Sequence, residues 1–89
     1  MDKSRQVNIT LDFPVQLADR KLVEVTMRRP VMKDMLNHNV GPDSGLVEDM
    51  ALIAALCGLV PEELEQFDTC DYERLQAQLL RFRGIKAGT

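Results

Sequence analysis

The 89-residue sequence has no tryptophan, one tyrosine, three phenylalanines, one histidine and two cysteines. Each scarcity excludes something. The lone His38 sits between Asn37 and Asn39 and reads as a surface loop residue. Without a second histidine, and with Cys57 and Cys70 outside zinc-ligand spacing, no metal site is expected. Cys57 falls inside an apolar stretch and reads as a buried free thiol. The chain opens with the polar Met1-Asp-Lys-Ser-Arg-Gln6. Together these features argue against a secreted disulfide framework and for a reducing, cytoplasmic setting. The apolar run Met50–Val60 is far short of the ~20 residues that span a bilayer, so no membrane helix is expected. No Gly-rich phosphate loop occurs. Glu62, Glu63 and Glu65 look like ordinary acids of a helix first turn, and a catalytic pair would need a concave pocket for which so small a domain has little room. The chain therefore reads as a non-enzyme, with no catalytic residue, no cofactor and no metal.

What is present is an aliphatic core. Hydrophobic residues make up 45% of the chain, and with few aromatics the core must rest on Leu, Val, Ile, Met and Ala. Five methionines suit two roles, filling gaps in the core or forming an adaptable partner surface. The net charge is −3 and the pI near 5.0, whereas a dedicated nucleic-acid binder is usually basic. The charges are uneven. Residues 1–30 are slightly basic, while residues 31–67 set Lys33 against Asp34, Asp43, Glu48, Asp49, Glu62, Glu63 and Glu65. That acidic stretch is either a solvated surface or a contact for a basic partner.

Periodicity supplies an α+β order, an N-terminal antiparallel β-hairpin followed by a small bundle of three to four helices. Val7, Ile9, Leu11 and Phe13 alternate with polar residues, as in a half-buried strand. Pro14 limits ladder pairing there. Ala18-Asp19-Arg20 is the expected turn, and Val23, Val25 and Met27 form the inner side of a second strand. An isolated hairpin is marginal, so helices should pack on it or another chain should complete the sheet. Pro30 can start a short helix carrying Met32, Met35 and Leu36. Asn37–Gly45 is a polar loop. Three helices follow at about 46–58, 61–67 and 70–83, by their apolar spacing. Leu46, Met50, Ile53 and Cys57 share one face of the first; Leu52, Leu56 and Leu59 make a second. Gly58 suits its C-terminal end, Pro61 the next start, and Asp68 or Thr69 the cap of the last helix. Tyr72, which reads as core with its hydroxyl at the surface, shares a face of that helix with Leu75, Leu79 and Phe82. The whole, 1–89, reads as one domain, with 1–6 and 84–89 expected to fray.

Several residues at these spacings carry a resemblance. They are Leu11 and Pro14; Val25, Met27, Arg28, Arg29 and Pro30; Ala51, Leu52, Ile53, Leu56, Cys57, Gly58, Leu59, Pro61, Glu62 and Leu64; then Asp68, Asp71, Tyr72 and Leu75. Across about residues 7–83 the chain resembles the phage tail assembly chaperones of long-tailed phages and Mu-like prophages. The connection Val15–Lys21 departs from the tight Asp-Gly-type turn of that family, which bears on strand register. The resemblance implies a non-catalytic protein that binds the hydrophobic, helical tape measure protein during tail morphogenesis and also delivers tail tube subunits to it. It implies action in the host cytoplasm and absence from the mature virion. It also implies a frameshifted longer form as a further partner.

The partner surface expected from these residues comprises Met32, Met35, Leu52, Leu56, Leu59, Arg28 and Arg29. Each apolar member has ordinary core as its alternative. Arg28 and Arg29 read either as a solvated strand end or as ion-pairing groups, toward a partner or toward Asp71. Self-association is a further outcome of a free strand edge and an apolar helix. The competing functions are a permanent structural component of the tail and a small DNA-binding regulator.

Overall fold

A computed structural model describes residues 5–85. Two strands, β1 (Gln6–Gln16) and β2 (Lys21–Arg28), precede four helices, α1 (Met32–Asn37), α2 (Leu46–Leu56), α3 (Pro61–Leu64) and α4 (Thr69–Phe82). The α+β hairpin-then-helices order is the one expected. Of the end segments expected to fray, 1–4 and 86–89 lie outside the described residues.

The strands pair antiparallel, with Ile9 opposite Val25 and Gln16 opposite Lys21. Between Thr10 and Val15 the register shifts. Four residues of β1, Leu11 to Pro14, then face Val23 alone, a wide bulge at the proline. The simple alternation breaks at this point. Ile9, Leu11, Val15, Val25 and Met27 are buried, but Phe13 and Val23, expected to face the core, are more than half exposed. The connection is also tighter than Val15–Lys21. Only residues 17–20 link the strands, closed by the Leu17 N–H donating to the Arg20 carbonyl at 2.7 Å.

α4 packs on β1, α2 on β2, and the two helices meet. Met27, Leu52, Ile53 and Leu75 have no solvent exposure and Leu79 almost none, so the core lies between the hairpin and this helix pair. α2 is apolar on every side in sequence, yet it is covered on one. Leu52, Ile53, Ala54 and Leu56 are buried, while Leu46 and Val47 stand in solvent.

The helix ends follow local chemistry. Gly58, at φ +70°, lets Leu59 N–H reach the Ala54 carbonyl at 2.8 Å, the 6→1 bond of a Schellman ending. Asp68 caps α4 by accepting from Cys70 N–H at 2.8 Å. α1, α2 and α3 have no side-chain cap at the first position. Instead an acid three residues on reaches back: Asp34 to Val31 N–H, Glu48 to Gly45 N–H and Glu63 to Val60 N–H, at 2.8–3.1 Å. This is half of a capping box, and it places negative charge at the positive helix end. α1 starts at Met32 rather than at Pro30.

Candidate functional site

α1 differs from the other helices. It has six residues and none of them is buried. A helix that short has no intrinsic stability in water, so its ends must hold it. At the start, the Asp34 carboxylate accepts from Val31 N–H and takes both terminal nitrogens of Arg28 at 2.8 and 2.9 Å. The Arg28 guanidinium, aided by Val31 N–H, holds the Asp34 carboxyl down at about 2. At the end, Asn39 takes the left-handed conformation, φ +55°. Val40 N–H thereby reaches the Met35 carbonyl at 3.0 Å. Asparagine tolerates that conformation better than most residues.

Met35 packs against the core, but the remaining apolar side chains of this short helix are exposed. Met32 and Leu36, one turn apart, are 70% and 72% exposed, and Val31 is 60% exposed. Beside them runs a groove of about 710 Å³ lined by Met32 and Met35 of α1, Val40 and Pro42 of the next loop, and Phe82 and Arg83 at the end of α4. Arg29 closes one side of Phe82. Its guanidinium lies 5.3 Å from the ring centroid and donates to the Phe82 carbonyl at 3.1 Å. Cations near an aromatic face and near a helix C-terminus are both favourable placements.

Met32, Met35, Arg28 and Arg29 thus gather at the open end of the hairpin. The intramolecular ion pair of Arg28 is with Asp34, not with Asp71. Leu52 and Leu56 lie elsewhere, in the core at 0% and 2% exposure, and Leu59 is half-buried against it. The groove also contains Val40, which the sequence placed in a polar loop, and touches Phe82, which is core as its spacing predicted, 4% exposed. Leu36 was the legible signal for this surface, since it repeats Met32 at i+4.

A second cluster joins β1 to α4. Asp12, Cys70 and Asp71 bring one potential ligand atom each within 4.8 Å of the others. Their chemistry does not suit a cation. Both oxygens of the fully buried Asp71 are taken, by Asp12 N–H at 2.9 Å and Phe13 N–H at 3.0 Å. The Arg74 guanidinium stands 3.3 Å from Asp71 and 3.5 Å from Asp12, where it would repel a metal. The carboxylate instead satisfies the two backbone donors that the bulge removes from the ladder. Between α2 and α4, the Tyr72 hydroxyl is buried, contrary to its expected surface position. Neither it nor the Gln76 side-chain oxygen has a partner among the described residues. Burial, reinforced by Asp49 and Glu73, pushes the phenol up to about 12. No helix among the described residues is long and apolar enough to cross a membrane.

Compared with known proteins, the chain matches a family model over residues 8–84, described as phage tail assembly chaperone proteins, E, or 41 or 14. No curated protein and no solved structure matches it. The match covers nearly all of the chain, which belongs to the phage tail assembly chaperone family.

Proposed function

We propose that this chain binds an apolar helical segment of the tape measure protein in the groove beside α1 during tail morphogenesis, and leaves before the tail is complete. The observation that carries this reading is the exposure of Val31, Met32 and Leu36 next to that groove. Contiguous apolar surface of this kind is costly in a free monomer and marks an interaction site. An amphipathic helix laid into a groove covers it without any change of fold. Methionine walls adapt to segments of differing shape, which suits a protein that must hold successive stretches of a long helical client. The net negative charge keeps the free chaperone soluble meanwhile. Its action is binding in the host cytoplasm, without catalysis. Tail tube subunits and a frameshifted longer form of the chain are further partners on this reading.

The test is co-expression with the tape measure protein encoded nearby, followed by a pull-down. The wild-type chain should keep that protein soluble and co-purify with it. Met32→Glu should weaken capture about tenfold or more, as loss of a central interface side chain does, and Met35→Glu should do the same. Met32 is 70% exposed, so Met32→Glu should melt like the wild type. Full capture by folded Met32→Glu and Met35→Glu variants would refute this surface. Finding the chain in purified particles would favour a structural tail component.

A further inference from the structure

We infer that the groove beside α1 selects apolar helices flanked by acidic side chains, because Arg83 lines it without an ion pair among the described residues and no carboxylate lines it. This deepens the reading above and rests on the groove being the partner site.

Charge falls unevenly along the hairpin. β2 runs for eight residues, roughly 25 Å at the usual strand rise, so the turn and the open end are well separated. α3 is joined to the turn end by Arg20–Glu63 at 3.1 Å. Glu62 and Glu65 are exposed in that region, where Asp19 pairs with Arg20 and Lys21 is exposed. α1 is joined to the open end by Arg28–Asp34 at 2.8 Å. At the open end, Arg28 is neutralised by Asp34, but Arg83 lines the groove and forms no ion pair among the described residues. Lys33 is exposed on α1 and also forms none. Arg29, also at this end, is engaged with the ring and the carbonyl of Phe82. No carboxylate lines the groove. The molecule carries net charge −3, yet this end is locally basic.

An occupant with apolar residues toward Met32, Met35 and Val40 would bring a flanking position to Arg83. Carboxylates there gain pairs that cost the chaperone no internal contact. Lysines there meet like charge. Complementarity of this kind sets partner choice and encounter rate more than total affinity.

Two synthetic helical peptides of about 18 residues, five turns, test this. They share one stripe of Leu and Met and differ only in flanks, Glu in one and Lys in the other. Binding is read by fluorescence anisotropy at low and high salt. The Glu peptide should bind about fivefold tighter at low ionic strength, and the gap should shrink in high salt. Arg83→Glu should abolish or reverse the preference; Glu62→Gln, at the turn end, should leave it intact. Equal binding of the two peptides to the wild type, a preference for Lys flanks, or no binding of either would overturn the inference, whatever the variants do. Those results are separable from failure of the groove itself. Met32→Glu sensitivity of tape measure capture tests the groove without reference to flanking charge.

Discussion

Two aspartates each fasten a helix to a strand, and they do it in opposite ways. Asp71 is fully buried and holds the bulge of β1 to α4 through two backbone N–H groups. Asp34, its side chain 13% exposed, holds α1 to the end of β2 through a guanidinium that is itself about half exposed. Removing the first leaves two backbone donors of the bulge without their acceptor at a part-buried site. Removing the second lets water take its place. The core-facing junction is therefore permanent, and the junction that presents the apolar groove is held by a bond that solvent can exchange. The lesson is that this fold keeps its weak fastening beside its binding surface.

The largest effect should come from breaking the strong side. Asp71→Ala should cost about 3–4 kcal/mol, since it orphans two backbone donors and removes one of the two carboxylates that face Arg74. That is a large share of the stability of a domain this size, and urea denaturation should show it as a much lower midpoint. Asp71→Asn, which keeps one acceptor and turns a donor toward the other N–H, should recover only part. If Asp71→Ala lowered stability by under about 1 kcal/mol, the two junctions would be equivalent and the contrast would fail.

Asp34→Asn should cost about 1 kcal/mol, because the pair is screened by solvent. The pH dependence has a definite sign. The folded carboxyl, at about 2, sits below its usual 3.8. Its contribution is therefore fully present above pH 3.8 and disappears as pH falls through about 2. In an acid titration the stability gap between wild type and Asp34→Asn should stay constant above pH 3.8 and close as pH falls toward about 2.

Much of this architecture was legible because it is local. Gly58, Asp68 and the alternation of Val7, Ile9 and Leu11 each carry their reason within a few residues. The bulge was half legible. Pro14 announced a limit on ladder pairing, but the acceptor for the freed donors is Asp71, nearly sixty residues away, and nothing in the spacing of Phe13 or Val23 announces it. The groove was half legible. Met32 and Met35 repeat at helical spacing, but Leu52 and Leu56 looked like equal candidates. Apolar residues on every side of α2 leave its buried face undetermined until β2 and α4 take it. Phe82 reads as core by its position in α4, and only the placement of α1 makes it part of a groove.

A smaller effect should appear at the α2–α4 contact. The Tyr72 hydroxyl is buried without a partner among the described residues, so Tyr72→Phe should be neutral or stabilising by up to about 1 kcal/mol. At alkaline pH the sign is again fixed. Desolvation raises the folded phenol to about 12 from 10.0, and Cys57 to about 12 from 9.0. Both groups prefer to stay neutral in the fold. The unfolded chain ionises first, so stability should fall as pH rises from about 9 toward 12. Tyr72→Phe should remove the part of that loss above pH 10 and leave the Cys57 part, in melts taken across the range.

The smallest effect sharpens the comparison most. Asn39 ends α1 at φ +55°, a conformation glycine adopts without strain. Asn39→Gly should therefore favour the closed end of α1 by a few tenths of a kcal/mol. Where that gain appears is informative. If α1 opens independently of the core, as its surface fastening implies, hydrogen exchange at Val40, whose N–H bonds the Met35 carbonyl, should slow, while the global melting temperature stays fixed. If the melting temperature rises by the full amount instead, α1 unfolds only with the core. The Asp34 junction would then be as permanent as the Asp71 one, despite its exposure.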